Sequence, residues 1–303
     1  MKLKNVKLFF CDSVARFRIL NSRGFYKHMP DEKFLKMAFR KTLGRELDLE
    51  NPKTLNEKLQ WLKLYDRKPE YTELVDKYEV KKYISDQIGE EYVIPTLGLW
   101  ENFDDIDFNM LPEQFVLKCT HDSGGVVICT DKEKLDIRKA KKKINRGLSS
   151  NYFDGGREWP YKNVKPRIIA EPYLENADGS QINDYKIQCF HGQVDNIMVC
   201  VDRYSDTGVK YHYFDCEWNY IPYCPYQGIT ADNVNVRRPE KLNEMIKIAE
   251  KLSTDFLQLR VDLYEIDGKV YFGELTFYTN SGFDRTITKE ADRIMGEKLL
   301  LNK

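Results

Sequence analysis

Apolar and polar positions alternate with a period of two along residues 259–283, LRVDLYEIDGKVYFGELTFYTNSGF, with a break at Ile266-Asp267-Gly268-Lys269. Asp-Gly between two such runs predicts two strands joined by a tight turn. Antiparallel pairing about that turn sets Asp262, five positions before it, nearly opposite Glu274, six positions after it. Two carboxylates then share one face of a sheet. Such a pair repels, and burying either member alone costs several kcal/mol, so a fold that keeps both supplies a cation or a proton. Magnesium suits oxygen donors of this kind; a solvated hairpin with its acids in water is the alternative these residues leave open.

The first third of the chain has the helical period instead. Phe34, Leu35, Ala38, Phe39 and Leu43 predict a helix over 31–44, begun by Asp31 and stopped by Gly44. A second is predicted over 55–65, with Thr54 and Glu57 as a capping box, and a third over 71–88. Strands are predicted at 114–120, 126–130, 167–170, 184–190 and 194–201, with alternating aromatics over 211–223. Helices are predicted at 131–148, which is strongly basic, at 239–254 and at 289–301. No glycine-rich loop follows a strand in the helical third, so it is not a dinucleotide-binding unit. The pattern is that of an α+β fold.

Composition narrows the class. A chain of 303 residues exceeds the span one core usually serves, so more than one unit is expected. Lys and Arg total 48 and so do Asp and Glu, which argues against nucleic acid as a partner held by bulk charge. The seven cysteines form no CxxC pair, which suggests neither a disulfide framework nor a zinc module and fits a reducing cytoplasm. No run is long enough to cross a bilayer. Residues 1–20 are basic and amphipathic, compatible with peripheral contact at an anionic membrane or with an ordinary packed helix.

Candidate chemistry is spread along the strands. Lys118 ends the run Phe115-Val116-Leu117 and precedes His121-Asp122-Ser123-Gly124-Gly125, where a glycine turn can expose amides to a phosphate or simply join two strands. Lys186 and Arg203 add cations near a second hairpin. A nucleoside triphosphate with magnesium would use this whole collection.

In order and spacing these motifs resemble the ATP-grasp superfamily of carboxylate ligases. The resemblance implies a helical region over 1–90, a lid subdomain over 91–171 and a larger antiparallel-sheet subdomain with the metal site over 172–303. Asp76-Lys77 resembles the first ATP-contacting lysine, and Lys118 with Ser123, Gly124 and Gly125 resembles the second lysine and its phosphate-covering loop. Glu171-Pro172-Tyr173-Leu174-Glu175 resembles the hinge that holds adenine and ribose, with Glu171, Tyr173, Leu174 and Glu175 as contacts. Lys186 and Arg203 fall where the terminal phosphate or an acyl phosphate is reached. Asp262 and Glu274 match the two magnesium-binding acids. Thr276 stands where the superfamily has a third ligand, Asn, so Asn280 in Thr279-Asn280-Ser281-Gly282 is the favoured replacement.

Residues 51–63 (NPKTLNEKLQWLK), Arg157-Glu158-Trp159-Pro160-Tyr161 and Asp184-Tyr185-Lys186 resemble the TupA-like branch, associated with bacterial surface-polysaccharide and teichuronopeptide synthesis. The resemblance implies a cytoplasmic ligase that uses ATP and magnesium to join a uronic acid to an amino acid or other amine. A glycosyltransferase using Asp105-Ile106-Asp107 as a metal motif is the rival from another class, and a non-catalytic scaffold is the third reading.

Overall fold

The computed structural model describes residues 12–180, 182–201 and 208–301. It begins with helices α1 (Ser13–Ser22), α2 (Asp31–Leu43), α3 (Leu55–Tyr65), α4 (Tyr71–Val75) and α5 (Val80–Ile88). The chain leaves α2 through Gly44 at φ 74°, a left-handed conformation that glycine adopts without strain. The Thr54–Glu57 capping box opens α3. Of the basic N-terminal stretch, residues 1–11 lie outside the described residues; from Ser13 on it is helix, with Phe17 buried against Tyr26 and Phe34.

The single helix predicted over 71–88 is two. Asp76 is extended (φ −74°, ψ 119°), and its carboxylate accepts from the amides of Tyr78 (2.8 Å) and Glu79 (3.3 Å) and pairs with Arg167 (2.8 Å). A short acid that competes for backbone amides ends one helix and starts the next.

Two antiparallel sheets follow. The smaller runs in the order β1 (Gly98–Trp100), β4 (Ile168–Pro172), β2 (Phe115–Cys119), β3 (Val126–Cys129). The basic segment is not one helix: a 3-10 turn at Lys132–Lys134 precedes α6 (Ile137–Leu148), which Asp136 caps. Ala140 and Ile144 of α6 pack on Phe115, Leu117 and Cys119, one face of β2. A one-turn helix, α7 (Phe153–Gly156), lies between α6 and β4.

The larger sheet runs β10 (Lys269–Thr276), β9 (Gln258–Ile266), β5 (Asp184–Phe190), β6 (Gln193–Val201), β7 (Lys210–Phe214), β8 (Tyr220–Ile221). Helix α8 (Leu242–Ser253) packs on β9, β5 and β6. Leu55 and Leu59 of α3, with Met295 of α9 (Lys289–Lys298), approach the face that carries Lys186, Gln188 and Arg260. The aromatics of 211–223 serve packing: Phe214 stacks on Trp218 at 4.4 Å, and Tyr213 meets Tyr223 edge-on at 5.6 Å. Each sheet has its own apolar cluster, and the six described cysteines are free thiols. No described helix is long and apolar enough to cross a membrane.

Candidate active site

The two sheets face each other across a cleft of about 440 Å³. Because side chains alternate along a strand, Val116 and Lys118 of β2 point into it while Phe115 and Leu117 point into the core. Glu171, Tyr173, Leu174 and Glu175 line the same cleft, facing Asp184, Tyr264 and Ile266 of the larger sheet.

Glu171 is buried and clamped, Oε2 by Lys118 and Oε1 by Lys81, each at 2.5 Å. Burial alone would raise its carboxyl pKa, but Lys118 and Lys81 outweigh that and hold it below the usual range. Lys81, on α5, escaped the sequence reading, since nothing local ties a helix lysine to an acid 90 positions on.

Lys77, at the head of α5, donates to the carbonyl oxygen of Asp122 in the turn that carries Ser123, Gly124 and Gly125. In that turn the Gly125 amide donates to both oxygens of the Asp122 carboxylate (2.9 and 3.0 Å), so this amide is already used. Ser123 and Gly124 are exposed. A Cβ at Gly125 would stand 2.4 Å from the Cys119 sulfur, so only glycine lets the turn close this tightly.

One step along the sheet face from Asp184 and Tyr264, which line the cleft, the acids of the central hairpin meet their cations. Asp262 and Glu274 are direct cross-strand partners, and a bulge between Phe272 and Glu274 absorbs the extra residue, Gly273. Lys186 is the cross-strand partner of Asp262 on the other side and bonds its carboxylate and that of Asp184, the latter at 2.8 Å. Arg260 grips Asp262 with two nitrogens, at 2.6 and 2.8 Å. Its Nη2 also donates to Glu274 at 3.2 Å and to the Thr276 hydroxyl at 2.9 Å.

Burial would push Asp262 up, but Arg260 and Lys186 outweigh it and hold the carboxyl below its ordinary value. Burial likewise works against the Arg260 and Lys186 charges, and Asp262 is the main group that keeps both protonated. Arg260 is the chief residue that sequence reasoning missed. Its signal was its position two residues before Asp262 on the same strand face.

Behind this group Lys63 is fully buried. It donates to the carbonyls of Gly156 and Ser281 (2.7 Å each) and to Gln60 Oε1 (3.0 Å), which ties α3 to the turn after β10. Burial pulls it down to about 7, with Glu158 opposing, and raises Glu158 in turn.

A model of the family described as TupA-like ATPgrasp matches residues 57–300. The chain belongs to the TupA-like ATP-grasp family. No curated protein matches it. Among solved structures, the D-alanine–D-alanine ligase of Helicobacter pylori is 14% identical, with 81% of this chain and 69% of that one covered and a TM-score of 0.44. The Bacillus anthracis enzyme complexed with ATP is 16% identical, with 74% and 61% covered and a TM-score of 0.44. The ATP-grasp ligase PsnB, complexed with a phosphomimetic variant of its minimal precursor, Mg and ADP, is 11% identical, with 92% and 72% covered and a TM-score of 0.46. At such scores the family assignment rests on the sequence model.

The donor set of this ATP-grasp chain fits a magnesium ion. Among the described residues no three His, Cys, Asp or Glu side chains gather into a metal-holding group. Oxygens of Asp262, Glu274 and Thr276 nonetheless lie within 3.2 Å of one positively charged nitrogen, Arg260 Nη2. Two carboxylates with a hydroxyl are hard oxygen donors, and magnesium takes its remaining ligands from phosphates and water.

Asn280, the favoured third ligand, is placed differently. It lies in a left-handed turn (φ 47°) beyond β10, with its amide nitrogen donating to Asp284 at 2.7 Å, and Thr276 is the residue that joins the two acids at Arg260. Arg203 lies outside the described residues. Asp105 and Asp107, the metal motif of the rival reading, are exposed and serve local turns: Asp105 accepts from Asn102, Asp107 from the Asn109 amide.

Proposed function

We propose that this protein is an ATP-dependent carboxylate–amine ligase. A substrate carboxylate oxygen attacks the γ-phosphorus of ATP, the bond to the ADP oxygen breaks, and an acyl phosphate forms. The amine then attacks the acyl carbon, a C–N bond forms, inorganic phosphate leaves, and the amine gives its proton to solvent. The observation that carries this reading is the meeting of Lys186, Arg260, Asp262 and Glu274 on the sheet face that continues from Asp184 and Tyr264 of the cleft.

Each residue has a role that its surroundings support. Glu171 and the Tyr173–Leu174–Glu175 stretch hold adenine and ribose, and Lys118 and Lys77 hold the phosphates, releasing Glu171 and the Asp122 carbonyl as they do so. Lys186 and Arg260 stabilise the charge on the acyl-phosphate oxygens, a role in which Arg203 is also proposed. The Ser123–Gly124–Gly125 turn covers the phosphates and keeps out water that would hydrolyse the intermediate. Asp262 and Glu274, with Thr276, hold magnesium, which when bound neutralises phosphate charge.

The acid is a uronic acid of a surface-glycan precursor and the nucleophile an amino acid or other amine; family resemblance supports this finer assignment. The test is to incubate the full chain with ATP, magnesium, a panel of uronic acids and mixed amino acids. Release of ADP and phosphate together with an amide product is expected. Failure to bind ATP at millimolar concentration, or cleavage of a nucleotide sugar without ATP consumption, overturns the reading.

A further inference from the structure

Helix α6 carries charges for which the proposed chemistry has no use. Arg138, Lys139, Lys142, Lys143 and Arg146 are all exposed, and none of them is ion-paired to a described residue; Lys141 alone on this helix is, to Asp104. At about 100° per residue the five fall within an arc of roughly 140°, while Ala140, Ile144 and Gly147 form the buried face opposite. The helix is therefore divided cleanly into an anchored side and a cationic side.

The cations face away from the cleft. Helix α6 packs on the side of β2 that carries Phe115, Leu117 and Cys119, whereas Val116 and Lys118 on the other side line the cleft. They are also unbalanced locally in a chain whose formal net charge is zero. Five neighbouring unpaired cations on a convex helix repel one another, and holding them together is favourable when a multivalent anion lies alongside.

We infer that the outer face of α6 docks the protein on an anionic lipid surface, with the cleft left open on the far side of the small sheet. The shape of the face decides this against a polymer. The cations span about 12 Å of helix at 1.5 Å per residue, and the helix carries no aromatic side chain on which a base or sugar ring could stack. A plane of anionic headgroups matches such an arrangement through charge alone, and attraction of that kind weakens with salt.

The test is co-sedimentation of the full chain with phosphatidylcholine vesicles containing about one third phosphatidylglycerol, where surface charge supplies the attraction. One variant replaces Arg138, Lys139, Lys142, Lys143 and Arg146 by Gln. A control replaces Lys33, Lys53, Lys247, Lys251 and Lys289, which are exposed elsewhere, and removes the same charge. Circular dichroism and ATP binding, read separately, should be unchanged in both. Wild type and control should bind the anionic vesicles and be released by salt, and the α6 variant should bind them at least tenfold more weakly. Unchanged binding by the α6 variant, equal loss in the control, equal binding to pure phosphatidylcholine, or binding to soluble polyglutamate with none to vesicles would each overturn the inference.

Discussion

Asp262 and Glu274 stand directly across from each other because Gly273 bulges out of β10 between Phe272 and Glu274. A Cβ at Gly273 would lie 2.9 Å from the Tyr264 ring and 3.0 Å from the Asp262 carbonyl oxygen, which is backbone and cannot turn away. Gly273→Val should therefore cost roughly 1–3 kcal/mol, the usual range for overpacking. It should also shift Glu274 away from Asp262. Urea denaturation checks the first effect, and magnesium-dependent ATP binding by calorimetry checks the second, where a loss of at least tenfold is expected.

Arg260 and Asp262 form a buried two-nitrogen pair. Removing the guanidinium leaves a carboxylate buried with Lys186 as its remaining close cation, and Arg260→Met should destabilise the fold by about 3–5 kcal/mol. Arg260→Lys retains charge but cannot reach Asp262, Glu274 and Thr276 together. It should fold better than the Met variant and still be slow in any acyl-transfer assay, with ATP affinity changed less than turnover.

The Glu171 clamp has a defined pH signature. The folded carboxyl lies below its unfolded value because Lys118 and Lys81 outweigh burial, so between the two values the unfolded chain binds more protons. The stabilisation is thus complete above the ordinary carboxylate value and is lost as pH falls through the lowered folded value. Denaturation midpoints from pH 6 down to about pH 3 should fall more steeply for wild type than for Glu171→Gln. Parallel profiles would contradict the clamp.

Lys63 joins α3 to the turn after β10 through the carbonyls of Gly156 and Ser281. Lys63→Met would strand the Gly156 carbonyl, while that of Ser281 keeps Gln60 Nε2 at 3.2 Å, and would remove the charge that opposes burial at Glu158. A loss of about 1–3 kcal/mol is expected, read as a lower thermal midpoint. Lys63→Arg should not rescue it, because a larger planar group has no room where the ammonium is fully enclosed.

Local pattern determined a good deal of this protein. The Asp-Gly turn and the alternation around it announced the hairpin of Asp262 and Glu274, and the Thr54–Glu57 box announced the start of α3. Those features depend on residues a few positions apart, where backbone geometry and side-chain period act directly. Tertiary structure alone decided the rest. Arg260 lies in an apolar strand between Leu259 and Val261, and its contact with Thr276 exists only once β9 pairs with β10. Lys81 meets Glu171 only when α5 packs beside the small sheet, and the break at Asp76 took its full form from Arg167, far along the chain. Charges separated by dozens of residues choose partners according to which surfaces the core brings together, because low-dielectric burial penalises whichever of them is left alone.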